Sequence, residues 1–189
     1  METPLCALAL KYRSDKCPAL GHFYTSFYDH LFSNRRNEVK KVLEIGVGYP
    51  ETMPVENYLV GASLFMWRDY FPNAEIFAID NRADAQVQTG RIKSFIVDQS
   101  NSSQLIDFVD RIVGKDFDLI VDDGSHKADH QIVSAIALIP YVKAGGYYII
   151  EDVSEPDKVV NALSEFGHKC EVVHPDPKAL DNRLIVISK

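Results

Sequence analysis

At 189 residues the chain is long enough for one domain with a sizeable core. Its composition, 46% hydrophobic and 25% charged, is that of a soluble globular protein. A formal charge of −7 speaks against a nucleic-acid or membrane-surface binder, since both normally carry a basic patch. No run approaches the roughly 20 apolar residues that span a bilayer. The opening METPLCALAL is too short for a signal peptide and lacks its basic start. Cys6, Cys17 and Cys170 are odd in number and lack metal-ligand spacing, so a reduced set in a cytoplasmic protein is expected.

In chain order, residues 1–21, with turn residues around Ser14-Asp-Lys-Cys-Pro18, read as an arm or lid. From Phe23 to Phe32 aromatic residues recur at helical spacing, as in a helix packed on a sheet. Lys40 to Ile45 reads as a strand, and Gly46-Val-Gly48 as its turn. Tyr49 to Val60 is a long connection with two prolines, followed by a helix near Ala62–Phe71 that Pro72 ends. Ala74–Ile79 and Lys93–Val97 read as strands, and Asn101-Ser-Ser103 caps a helix with Leu105, Phe108, Val109 and Ile112 on one face. In Phe117-Asp-Leu-Ile-Val121 a short apolar run around Leu119 stops at Asp122-Asp-Gly-Ser-His126, as a strand buried on both faces would. A helix bearing Ile132, Ile136 and Ile139 then closes at Ala144-Gly-Gly146, and Tyr147–Ile150 is a strand ending in Glu151-Asp152. Pro156 opens a last helix that Gly167 stops, and strands near Cys170–His174 and Arg183–Ser188 complete the chain.

Alternating strands and helices imply right-handed crossovers and a mainly parallel sheet. Five strands in succession end in acids: Glu44, Asp80, Asp98, Asp122 with Asp123, and Glu151 with Asp152. Ligands of open α/β sheets bind at the carboxyl ends of strands, so the five acidic strand ends mark one site. Gly46-Val-Gly48 lets backbone approach a ligand closely, but the third glycine of the dinucleotide fingerprint is missing and Glu51 disfavours a pyrophosphate. A cationic ligand with an adenosyl group fits better, with Asp80 placed for ribose hydroxyls and Asp98 or Gln99 for an adenine edge. Asp123, Glu151 and Asp152 form a second group whose mutual repulsion a cation such as Mg²⁺ would relieve. The plainer reading makes Asp123 and Asp152 caps of the following helices. His126 lies beside these acids, and a helix start would favour its neutral, proton-accepting form. His22, His30, His130, His168 and His174 read as structural.

Glu44-Ile-Gly-Val-Gly48, Asp80 and the Ala144-Gly-Gly146 turn resemble class I S-adenosylmethionine-dependent methyltransferases. More closely, Gly61-Ala-Ser-Leu-Phe-Met-Trp67, Asp122-Asp-Gly-Ser-His126 and Ile150-Glu-Asp152 resemble the metal-dependent macrolide sugar O-methyltransferases of the mycinamicin type. Tyr12, Ser14-Asp-Lys16 and His22 are similar to that family's entry segment, although this chain is shorter than those enzymes. The resemblance implies that Asp123, Glu151 and Asp152 bind Mg²⁺ and that His126 deprotonates the sugar hydroxyl.

The resulting expectation is an α/β, Rossmann-like class I methyltransferase fold, a three-layer sandwich. Its seven-stranded sheet should be parallel except for one strand near the C-terminal end. The cofactor-binding set is Glu44, Gly46, Gly48, Asp80, Asp98, Gln99 and Asp122, for S-adenosylmethionine. The metal set is Asp123, Glu151 and Asp152, for Mg²⁺, with His126 catalytic. The partner is a small-molecule acceptor, sugar or polyol, with no nucleic acid and no membrane, and a homo-oligomer left open. Two alternatives stand beside it: an S-adenosylmethionine-binding module without catalysis, and a nicotinamide-dependent oxidoreductase.

Overall fold

The structure, a computed structural model, describes residues 3–51, 55–176 and 182–189. Eight strands form one sheet: β1 (Lys41–Ile45), β2 (Glu75–Asp80), β3 (Gln88–Thr89), β4 (Ile92–Ile96), β5 (Phe117–Asp122), β6 (Val142–Ile150), β7 (Glu171–Val173) and β8 (Leu184–Ser188). Six α-helices flank it: α1 (Pro4–Tyr12), α2 (Tyr24–Phe32), α3 (Ala62–Tyr70), α4 (Ser102–Phe108), α5 (Ala128–Leu138) and α6 (Pro156–Glu165). The strand order is β3-β4-β2-β1-β5-β6-β8-β7. Strands β4, β2, β1, β5 and β6 pair in parallel, and β8 runs antiparallel between β6 and β7. Seven strands and the antiparallel one are as expected. The eighth, β3, is a two-residue antiparallel partner of β4 at the edge, too short to show in a sequence pattern.

Strand alternation divides the core into two layers. Val42, Ile76, Ala78, Leu119, Val121 and Ile149 meet Leu5, Ala9, Tyr28, Leu64 and Trp67 from α1, α2 and α3. Leu43, Ile79, Ile120 and Ile150 meet Leu105, Leu138, Val159 and Leu163 from α4, α5 and α6. The N-terminal segment departs from the expected arm or lid. Thr3 caps α1 through its side chain, and Leu5 and Ala9 are fully buried against the sheet's first face. Only residues 13–23, between α1 and α2, remain as a connection over the strand ends.

The Ala144-Gly-Gly146 turn also differs, because β6 runs through it as a continuous strand with a register shift against β5. Gly146 permits this close pass, since a Cβ there would stand 2.9 Å from the Phe117 carbonyl oxygen. The Tyr49–Val60 connection lies partly outside the described residues, at 52–54. No described helix is long and apolar enough to cross a membrane.

Chain direction across the sheet reverses between β1 and β5. From β1 the chain moves outward through β2 to β4, then returns to β5 on the other side of β1. Such a reversal opens a crevice above the strand ends, where open α/β sheets bind ligands.

Candidate active site

The crevice is a cavity of about 920 Å³ lined by the ends of β1, β2, β4, β5 and β6 and by the connection after α1. At its floor Gly46 and Gly48 hold φ of +94° and +79°, which a side chain rarely adopts. Gly46 is also closely enclosed: a Cβ there would stand 2.1 Å from the Asp123 carbonyl oxygen. The glycine turn is therefore fixed against the β5 end.

Asp80 joins the turn to β2. Its Oδ2 accepts from Val47 N at 3.0 Å and its Oδ1 from Arg82 N at 3.0 Å. Asp98 lines the same wall, its Oδ1 accepting from Ser100 N and Oγ, and these bonds hold the carboxyl below its usual range.

Gln99 and Asp122 are arranged differently from the expectation of direct cofactor contact. Gln99 Nε2 donates to Asp122 Oδ1 at 2.5 Å, while its Oε1 accepts from Ser125 N at 3.0 Å, so both ends of the amide are committed inside the protein. Asp122 does not line the cavity. It continues the β5 alternation of Ile120 into the second layer, where Ser134 Oγ and Tyr148 Oη also donate to it. Burial pushes its carboxyl up to about 6, against the pull of those hydroxyls. Asp122 fixes Gln99, and Gln99 fixes the Ser125 backbone.

Glu44 and Glu151 point into the first layer, because each continues the parity of Val42 or Ile149. Neither is among the cavity-lining residues. Between them stands Lys16, unforeseen as a site residue. Its Nζ lies 2.5 Å from Asp123 Oδ2, 2.6 Å from Glu151 Oε2 and 3.3 Å from Glu44 Oε1. Burial works against the charge, yet the three carboxylates raise the lysine pKa well above its ordinary value. Ser63 Oγ donates to Glu44 Oε2 at 2.7 Å and Tyr28 Oη to Glu151 Oε1 at 2.6 Å.

Toward the cavity, His126 Nε2 lies 3.2 Å from Asp123 Oδ1 and 3.6 Å from Asp152 Oδ2. One donor atom from each of Asp123, His126 and Asp152 lies within 4.8 Å of the others, a grouping able to hold a metal ion. Tyr24 Oη donates to Asp152 Oδ1 at 2.5 Å, and His22 Nε2 stands 3.5 Å from the same oxygen. Neither Asp123 nor Asp152 caps a helix: α5 has Lys127 at its cap position and α6 has Glu155, without side-chain bonds.

The helix start does not govern His126, since α5 begins two residues later. The hydrogen bond to Asp123 governs it, assisted by the Asp152 charge, and raises the imidazole from 6.5 to about 9 against its burial. Reciprocally, Lys16 and His126 hold Asp123 below its usual range.

The strand order, the glycine turn at the reversal point and the acidic strand ends define the class I methyltransferase fold. The chain is homologous to the macrolide and sugar O-methyltransferases of the mycinamicin type. It is 38% identical over 152 residues to mycinamicin VI 2''-O-methyltransferase of Micromonospora griseorubida, covering 79% of this chain and 36% of the relative. It is 37% identical over 148 residues to a rhamnosyl-tetracenomycin-C 3'-O-methyltransferase of Streptomyces olivaceus, 77% of this chain and 36% of the relative. The mycinamycin-pathway methyltransferase solved with Mg and S-adenosylhomocysteine superposes with a TM-score of 0.79 at 27% identity, covering 100% of this chain and 55% of that one. The chain thus spans little more than a third of the curated relatives' length. No family model matches it.

Proposed function

We propose that this chain is the catalytic part of an S-adenosylmethionine-dependent O-methyltransferase acting on a hydroxyl of a sugar-containing or polyol small molecule. The observation that carries the reading is the convergence of His126, Asp123 and Asp152 at the cavity that also holds the Gly46–Gly48 turn and Asp80. The relatives are named for O-methylation of sugars on antibiotics, and one is solved with mycinamycin VI bound. A cytoplasmic location accords with the absence of a membrane-spanning helix among the described residues and with the three free cysteines.

The residues fit both absent groups. For S-adenosylmethionine, Gly46 and Gly48 offer backbone without Cβ atoms, Asp80 retains lone pairs for ribose hydroxyls, and Asp98 Oδ2 is free of the Ser100 bonds. For Mg²⁺, Asp123 and Asp152 face the cavity with Glu151 behind them, and all their donors are hard oxygen. Asp123 and Asp152 would hold the ion at the cavity, with Glu151 completing the acid set behind them. A metal bound there lowers the pKa of a hydroxyl it holds.

His126 Nε2 would take the proton of the acceptor hydroxyl, and S-adenosylmethionine, when bound, supplies the electrophilic methyl group. The bond to Asp123 and the Asp152 charge favour the imidazolium, and a cation held by the same two acids would weaken that preference and let the ring accept a proton. Asp80 and the glycine turn fix the adenosyl end. The adenosyl end and the acceptor end would thus be held by residues on five strand ends of one sheet.

Methyl transfer to a panel of glycosides and polyols, with and without chelator, tests the reading. Turnover should require Mg²⁺, and S-adenosylhomocysteine should raise the Tm by binding only the folded state. Asp80→Ala should weaken that ligand by about 1.5–3 kcal/mol in calorimetry through the loss of charge-assisted hydrogen bonds. Turnover undiminished in excess chelator would remove the metal, and an NAD-induced Tm shift without one from S-adenosylhomocysteine would favour the oxidoreductase alternative.

A further inference from the structure

A lysine with only 1% of its side chain exposed is unusual, and Lys16 is buried among acids. The ammonium donates to Asp123 Oδ2 and Glu151 Oε2, and Glu44 Oε1 lies 3.3 Å away without a hydrogen bond of its own. The remaining oxygens of the two glutamates are engaged as well, Glu44 Oε2 by Ser63 and Glu151 Oε1 by Tyr28. Asp123 alone belongs to both halves of the cluster: Oδ2 meets the ammonium, while Oδ1 faces His126 and the cavity.

We propose that Lys16 is the resident cation of the carboxylate cluster, claiming Glu44 and Glu151, sharing Asp123, and leaving a single divalent-cation place between Asp123 and Asp152. The inference rests on the metal-dependent reading above and deepens it. It assigns Glu151, which the resemblance makes a metal ligand, to the lysine. Lys16 is a positioning residue, since it reaches the metal only through Asp123.

Two effects then oppose the divalent ion. The ammonium repels it across the Asp123 carboxylate, and it withholds Glu151 from coordination. Both make the metal site weaker than its four acids would otherwise produce.

Mn²⁺ binding, followed by electron paramagnetic resonance on the whole chain, tests this with wild type and Lys16→Met, a neutral side chain of similar length. Wild type should bind one Mn²⁺, and Lys16→Met should bind it at least about tenfold more tightly, because the repulsion is gone and Glu151 is released. A merely structural lysine would leave the affinity unchanged or reduced on substitution, and that result overturns the proposal while leaving the metal reading intact. Circular dichroism covers the case in which Lys16→Met does not fold alone. Saturating Mn²⁺ should then restore the fold by supplying the missing positive charge, and a variant that stays unfolded refutes the idea. If neither protein binds Mn²⁺, the metal reading fails and the lysine assignment fails with it.

Discussion

His126 and Asp152 both hold left-handed backbone, at φ +56° and +51°, where a non-glycine residue costs about 1–3 kcal/mol. The bend aims each side chain back across the strand ends, so the two meet although 26 positions separate them. An alanine at 126 would combine loss of the imidazole with backbone strain, whereas asparagine tolerates this conformation. His126→Asn should therefore fold and bind S-adenosylhomocysteine as wild type does, while kcat falls by about 10²–10⁴-fold. A kcat per folded molecule within a few-fold of wild type returns the histidine to a structural role. The same variant reports on pH. Folding raises the imidazole from 6.5 to about 9, so its stabilising contribution is fully present below pH 6.5 and is lost as pH rises through about 9. In chelator, wild-type Tm should fall across that window, and His126→Asn should show a flatter curve. The ring is 47% exposed, so solvent screening keeps the effect modest.

At the scale of elements, the site depends on how closely β1 and β5 end beside one another. Asp123 N donates to Ile45 O at 2.9 Å, and Gly46 N to Ile79 O at 2.8 Å, so pairing continues one residue past the strands. Gly46→Ala would drive a methyl group into the Asp123 backbone, a contact that no rotamer can relieve. Denaturant melts should show a loss of about 1–3 kcal/mol, with weakened S-adenosylhomocysteine binding. Melts that match wild type would mean the turn is looser than its geometry.

The strand ends were legible because a strand buried on both faces writes an unbroken apolar run with an abrupt polar stop. Asp80, Asp123 and Asp152 each stood at such a stop, Asp98 followed the more exposed β4, and all four line the cavity. Strand parity was harder to read. Asp122 and Asp123 look equivalent in sequence, yet one faces α5 and the other the cavity. Helix α2 read as aromatic packing, and that spacing concealed a second use: Tyr24 and Tyr28, one turn apart, present hydroxyls to Asp152 and Glu151. Lys16 was seen only within a motif, because lysine by type is a surface residue and its partners are remote in sequence.

Across the whole molecule, that remoteness sets the order of assembly. Lys16 reaches Asp123 across 107 positions and Glu151 across 135, while α1 and α2 pack on the first sheet face alongside α3. Contacts of such separation bear the largest loop-closure entropy and are expected to form after the sheet has its register. Trp67, the single tryptophan, is buried edge-to-face on Tyr28 and reports on that layer by fluorescence. On refolding, capture of Mn²⁺ should coincide with or follow the final Trp67 phase; capture preceding it would show that the acids converge without the N-terminal layer.

The lysine's place near the start of the chain has one more consequence, for synthesis. At about 5–20 residues per second, Glu151 leaves the ribosome roughly 7–27 seconds after Lys16. Glu44, Asp123 and Glu151 are all translated after the buried Lys16 ammonium that meets them. Each acid that enters the first layer thus finds its counter-charge already made.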